Sequence, residues 1–403
     1  MRKAIKIKDL GEVITGNTPP RSNPELYGRH TPFIKATDIE ESSKFTYFPE
    51  EFYSEIGFQK YKKSLIRKGA SCVVTIGSVG KKMTMAHCDC FINQAMNAVV
   101  PNNNYDDEYV YYLLKNNIHK LKMLNSGTAS GRENISKSAF SNMEIEAILD
   151  KDKQIIIGKI LSAYDKLIEN NQKQIKLLEE AAQRLYKDWF VDLRFPGYEK
   201  TPIIDGVPEG WKKYRISEIG KVVTGKTPST EKEEYYGKEI PFVKIPDMYN
   251  GIYSIVTETS LTKEGADTQK SKYIPANSIM VSCIATVGLV NISVNVCQTN
   301  QQINTIILNQ QEDLYYIYFT MKRLKTLLEG VGSNGATMTN VNKTKFENLE
   351  ILYPIKELRK KYFCFCYPIF KKIYDLSMNN IFLSQARDCL LPKLMSGELE
   401  VQL

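Results

Sequence analysis

IKDLGEVITGNTPPRSNPELYGRHTPFIKATD (7–38) is written again, without a gap, as ISEIGKVVTGKTPSTEKEEYYGKEIPFVKIPD (216–247), with 14 of the 32 positions identical. Ordinary residue frequencies give about two identities in such a window. Downstream, NQAMN (93–97) answers NQQIN (300–304), and NISKSAFSNMEI (134–145) answers NVNKTKFENLEI (340–351). The offset drifts only from 209 to 207 to 206, so the copies differ by short insertions and deletions. A period this long lies far beyond the roughly 20–50 residues of a solenoid repeat. Whole domains have been duplicated in tandem. A chain with such pseudo-two-fold symmetry suits a partner that offers two similar sites.

Within each copy, short apolar runs alternate with Gly, Pro, Asn and Ser. FIKATDI, SCVVTI and NAVVP in the first copy, and PFVKIPDM, SIMVSCIATV and TIIL in the second, read as strands. DDEYVYYLLKNNIHKLKML and DLYYIYFTMKRLKTLLE read as helices, so each copy is an α/β or α+β domain. After each copy the pattern changes to alternating four-and-three spacing. Ile157, Leu161, Tyr164, Ile168, Asn171, Ile175, Leu178, Ala182, Leu185 and Trp189 form a heptad seam. Adding 205 gives Tyr362, Cys366, Ile369, Ile373, Leu376, Asn380, Leu383, Arg387, Leu390 and Leu394, so the helix is duplicated too. Pro368 is expected to kink the second helix or mark a restart. One Asn sits in each seam, a residue that fixes register at a cost in stability. The simplest assembly packs the two helices antiparallel, with FPGYEKTPIIDGVPEGW (195–211) as the linker into the second copy.

Composition narrows the function less than the repeat does. Of the 403 residues 42% are hydrophobic and 25% charged, with a net charge of +8. That is an ordinary globular balance with a mild lean toward anionic partners. No apolar run reaches the ~18 residues of a membrane span. The N-terminus, MRKAIKIKDL, has no signal-peptide core, and no two of the eight cysteines are spaced C-x-x-C. Together these read as a cytoplasmic chain with reduced thiols.

Motifs for chemistry are weak. GKVVTGKT (220–227) satisfies the phosphate-loop pattern, but Pro228 follows at once and the sister copy, GEVITGNT (11–18), has Asn17 in place of Lys226. The shared skeleton is a turn. Neither E-x-K nor D-x-K occurs, there is no NPPY-type base-holding motif and no G-x-S-x-G elbow. His87-Cys88-Asp89-Cys90 resembles half a metal site without a second pair. The chain reads as a binder.

What repeats is polar. Asn93-Gln94 and Asn300-Gln301 follow strand-like runs. Two loops, 125–136 and 330–342, mix glycine with amides and hydroxyls: Ser130, Arg132 and Asn134 in the first, Asn334, Thr337 and Asn340 in the second. Asn and Gln can read adenine and Arg can read guanine. Lys35 with Lys244 and Lys137 with Lys343 are kept in both copies, and Lys81 and Lys82 add charge in the first, all suited to phosphates. These are the candidate DNA-binding residues.

Taken together, the repeated TGxTP…YG…PF block, FSNMEI and FENLEI closing the two domains, RLYKDWFVDLRF and the C-terminal LLPKLMSGEL resemble the specificity subunits of type I restriction–modification systems over essentially the whole chain. The absence of a Gln-containing start to the second helix, and Pro368, depart from that pattern. The resemblance implies two target-recognition domains, 1–149 and 195–354 (linker included), alternating with helical regions 150–194 and 355–403. The helices would pair as an antiparallel coiled coil. It implies no catalytic activity, metal or cofactor in this chain. Its partners would be double-stranded DNA, two modification subunits carrying S-adenosylmethionine and two ATP/Mg-dependent restriction subunits. The competing readings are an enzyme in its own right, against which the missing motifs argue, and a stand-alone DNA-binding regulator.

Overall fold

The computed structural model describes residues 2–124, 133–325 and 340–402. The chain divides into two compact units, Met1–Gln172 with Asn379–Leu403, and Lys173–Met378. Each unit therefore combines one globular domain with a part of both long helices.

In the first unit, Arg2–Lys6 pairs antiparallel with Glu144–Ile148, which brings the start of the domain to its end. A four-stranded antiparallel sheet follows in the order Gly11–Thr15, Met96–Pro101, Ser71–Val74, Met83–Met85. A three-stranded sheet has Tyr27–Ile34 between Glu51–Tyr53 and Phe91–Ile92, the last pairing being parallel. The second unit repeats this plan. Lys212–Arg215 pairs with Glu350–Tyr353, and Gly220–Thr224, Ile303–Leu308, Ile279–Ser282 and Val290–Ser293 form the matching sheet, with Tyr253–Ser254 added at its edge. Ile240–Val243 takes the place of Tyr27–Ile34, parallel to Gln298–Thr299. Each apolar run expected as a strand contributes one, but the first and fourth leave the sheet early, after Ile34 and Val243, and Ile245–Asn250 turns into a 3-10 helix; both domains are α/β.

Each domain carries a helix rich in buried tyrosine. Asp107–Asn117 starts where the Asp106 carboxylate accepts the Tyr109 N–H at 2.9 Å. Tyr109, Tyr111 and Tyr112 are buried on it, and Tyr315, Tyr316 and Tyr318 are buried on Leu314–Arg323.

The long helices run Lys151–Phe190 and Lys356–Ser396, 40 and 41 residues. Asp165 meets Arg387, Asn171 meets Asn380, and the Ala182 carbonyl accepts the Tyr362 hydroxyl at 3.0 Å. Numbers rise along one helix as they fall along the other, so the pairing is antiparallel. The expected seam is the packed face: Leu161, Ile168, Ile373 and Leu376 are buried, while Ile175, Leu178 and Leu383 are half-buried. The two seam asparagines bond to each other, Nδ2 to Oδ1 at 2.9 Å. Pro368 does not restart the helix, which is continuous from Lys356 to Ser396. An interior proline costs about 3 kcal/mol. Tyr362, Cys366, Phe370 and Ile373 are buried on either side of it, and burying one such side chain stabilises by roughly 1.5–3 kcal/mol. Packing of the flanking turns offsets the lost bond.

The start of each long helix is tied to its domain by a polar contact at equivalent positions. Gln154 accepts the Asp106 N–H at 2.9 Å and donates to the Ile148 carbonyl at 2.8 Å. In the second unit Arg359, 6% exposed, reaches Asp313, 0% exposed, and donates from Nε to the Pro354 carbonyl at 3.0 Å. Burial pulls the Arg359 pKa down from its ordinary value, yet a guanidinium stays charged. Removing one member of a buried pair leaves the other charge uncompensated. Arg359→Ala is thus expected to lower stability by about 3–5 kcal/mol, read as the urea midpoint of the second unit's unfolding. The Gln154→Ala counterpart, which strands no charge, should lose distinctly less.

Candidate nucleic-acid interface

The most repeated residues of the sequence build one device twice. In each copy the TGxTP turn is laid against the NQ turn. The Gly16 N–H bonds the Met96 carbonyl at 3.1 Å and the Asn17 N–H bonds Ile92 at 2.9 Å. Gly225 and Lys226 bond Ile303 and Thr299 at 3.1 and 2.9 Å. The approach is so close that a Cβ on Gly16 would lie 2.1 Å from the Asn93 carbonyl oxygen, and one on Gly225 2.1 Å from that of Asn300. Only glycine fits there.

Side chains complete the frame. Thr15 donates to Asn97 and Thr224 to Asn304, both at 2.6 Å. Thr18 donates to the Gln94 amide oxygen, and Thr227 to that of Gln301 at 2.8 Å. The Tyr27 and Tyr236 hydroxyls bond the Pro19 and Pro228 carbonyls at 2.6 and 2.9 Å. The phosphate-loop lookalike is accounted for by the same frame. Gly220–Thr224 is an antiparallel strand, and the next segment runs into this turn with no helix opening behind it.

Several repeated candidates for DNA contact have internal roles. Lys35 donates from its backbone to Asp38 at 2.8 Å and from its ammonium to Glu50 and Glu51 at 2.6 and 3.0 Å. Lys244 does the same to Asp247 at 2.8 Å and reaches the Thr259 hydroxyl at 2.6 Å. Asn300 is buried, and both ends of its amide bond Gln302. Asn93 is half-buried, with its side-chain oxygen enclosed. Asn134 and Asn340 lie in equivalent bridges, to Ile76 and to Ile284. Their repetition follows from the fold.

Others face outward. Gln94 and Gln301 are exposed, and because each accepts a hydroxyl at its oxygen, its NH2 remains as the donor end of the amide. Lys137 is the exposed first residue of a short helix capped by Ser136, and Lys343 begins the matching helix capped by Asn342. Lys343 also pairs with Glu347 at 3.3 Å. Lys81 is exposed and Lys82 half-buried in the turn after Ser78. Ser130, Arg132, Asn334 and Thr337 lie outside the described residues.

Three features escaped the sequence reading. Lys226 is exposed at the position of Asn17, so the one residue that differs inside TGxT stands at the surface of an otherwise identical turn. Phe48 is 91% exposed, two residues before the glutamate that Lys35 holds. Lys62 and Lys63 are exposed on a tight turn answered in the second copy by Lys270. Repetition of a basic turn at equal distance from the start of each copy was the available signal.

Chemistry is thin elsewhere. Cys88 and His87 touch at 3.3 Å, but Cys90 is buried, and among the described residues no cluster of three metal-ligating side chains forms. No helix of the described residues is long and apolar enough to cross a membrane.

Comparison with known proteins accounts for a duplicated, amide-lined and weakly basic pair of domains. The family profile described as the type I restriction modification DNA specificity domain matches residues 3–180 and again 208–370. The type I restriction enzyme HindI specificity subunit of Haemophilus influenzae is 31% identical over 355 residues, spanning 72% of this chain and 77% of its own. The MjaIX specificity subunit of Methanocaldococcus jannaschii is 27% identical over 410 residues, spanning 98% and 93%. The crystal structure of a type I restriction–modification S subunit from M. genitalium shares the fold, with a TM-score of 0.60 at 16% identity over 98% of this chain and 96% of that one. Two matches of one DNA-specificity domain, each falling on one copy of the repeat, place the chain in the family of type I restriction–modification specificity subunits, the non-catalytic component that recognises the DNA target within the complex.

Proposed function

We propose that each domain reads one half of a split double-stranded target, and that the long helices carry the partner subunits. The observation behind this reading is the division of labour within each copy. Most repeated residues hold a common frame, while the copies differ in sequence at Asn17 against Lys226 and over segment 125–136 against 330–342. Equal frames with unequal surfaces suit two half-sites of different sequence. Gln94 and Gln301, exposed and with NH2 groups to donate, suit base edges, and Lys81, Lys82, Lys137 and Lys343 suit phosphates.

The helices add exposed apolar side chains in each unit. Leu167 and Leu177 on the first helix and Phe365, Tyr367 and Phe382 on the second are all more than half exposed. Exposed apolar groups of that size suit a protein partner. Two modification subunits bringing S-adenosylmethionine, and two restriction subunits using ATP and Mg, fit a chain with two similar halves. A stand-alone regulator would leave those side chains without an occupant. A cytoplasmic location goes with the same reading.

Phosphate contacts release counterions, so each one contributes about 0.9 to the slope of log K against log salt. Lys137→Ala is expected to reduce that slope by about one and leave the target sequence unchanged. Lys35→Ala should leave the slope alone and lower the thermal midpoint, because its ammonium is engaged with Glu50 and Glu51. Titrations at several salt concentrations separate the two.

Replacing 206–354 by the corresponding segment of another family member should change one half of the methylated sequence and preserve the other. Mapping methylated positions with the reconstituted complex reads this directly. A swap that altered both halves would refute independent reading.

A further inference from the structure

We infer that the two duplicated helices carry a pairing code under which each half of the chain accepts only the unlike half. At an offset of 205, Ile157 and Tyr362, Leu161 and Cys366, Ile168 and Ile373, and Trp189 and Leu394 are buried pairwise, so the register between the two helices is unambiguous.

In that register the first unit uses polar pairs where the second uses apolar ones. Asp165, 8% exposed, receives the Arg387 guanidinium, and its other oxygen accepts the Tyr112 hydroxyl. Arg387 is 6% exposed and bonds Asp388 from Nε at 2.9 Å as well. Close by on the same helix pair, Asn171 donates to Asn380. The equivalents of Asp165 and Arg387 are Phe370 and Ala182, which share the aromatic core of the second unit with Tyr315, Tyr318 and Phe319. Those of Asn171 and Asn380 are Leu376, buried, and Ile175, packed against that core.

A tandem duplication starts with two identical helices, and identical helices pair with a second copy of themselves as readily as with each other. Divergence at these positions removes that freedom. If two first helices paired in the same antiparallel register, Asp165 would face Ala182 and Asn171 would face Ile175, each twice by symmetry. If two second helices paired, Arg387 would face Phe370 and Asn380 would face Leu376. Both arrangements take Asp165 from the Arg387 guanidinium and the two half-buried amides from each other, leaving Asp165 only the Tyr112 hydroxyl and Arg387 only Asp388, a loss that folded proteins avoid at such low exposure. Only the unlike pairing satisfies all four polar side chains, in the way that a single buried Asn selects register in a coiled coil. The pairing code does not depend on what the recognition domains bind.

The test uses the full chain. The quadruple variant Asp165→Phe, Asn171→Leu, Asn380→Ile and Arg387→Ala gives the first unit the apolar set of the second. It keeps the unlike pairing packed and makes like pairing equally good. After unfolding in urea and refolding at micromolar concentration, sedimentation velocity should find wild type monomeric and the variant with a several-fold larger fraction of dimers and higher oligomers. A variant that refolds to monomer as cleanly as wild type, or a wild type that itself oligomerises, overturns the proposal.

A second measurement needs no variant in the helices. A protease site inserted in the exposed linker between Gly197 and Gly206 allows the folded chain to be nicked, unfolded and refolded as a mixture. Native mass spectrometry is expected to find one first half with one second half in every pair. Like pairs at their statistical share would overturn the code.

Discussion

Two helices of forty residues stay paired only if every turn has something to bury, and here the material for burial is unevenly spread. The ends are apolar and aromatic: Leu161 shares a core with Leu391 and Leu394 in the first unit, and Tyr186, Trp189, Tyr362 and Phe370 share one in the second. Between them lie half-buried positions with a hydrogen bond from Asn171 to Asn380. An apolar seam tolerates slippage by a turn, whereas an amide pair and an ion pair do not. Register along the helices is thus set by few polar atoms. Because each domain packs on the start of its own helix through Gln154 or Arg359, that register also fixes how each unit is completed.

The same economy governs the domains. Repetition marks what the fold requires: glycine where a carbonyl comes within 2.1 Å of the missing Cβ, threonine and asparagine where two turns must be joined, and a lysine backbone N–H closing on an aspartate in each copy. Many positions free of those duties have diverged, while the exposed Lys137 and Lys343 are kept. A recognition module duplicated within one chain needs this separation, since its two copies must fold alike and bind differently.

Much of this was legible in the sequence. The duplication, the α/β texture and the heptad seams are local or periodic signals, and each corresponds to an element of the structure. The limits are physical. Asn300, Lys35 and Lys244 hydrogen-bond within their own domain and the Asn93 side-chain oxygen is enclosed, and an amide or ammonium engaged in that way is spelled like one that faces a ligand. The parallel pairing of Phe91–Ile92 involves two residues and leaves no pattern. The Asp165–Arg387 pair joins positions 222 apart, and nothing in a heptad says which charge on one helix will meet which on another. Pro368 looked disruptive because propensity is local and the packing on either side of it is not.

The central claim is that one chain presents two similar frames with different reading surfaces to a single DNA. Methylation of a randomised duplex library by the complex reconstituted around this chain tests it most directly. Two short specified blocks are expected, different in sequence and separated by an unspecified gap of constant length. A single uninterrupted block, or two blocks related by a dyad, would contradict it.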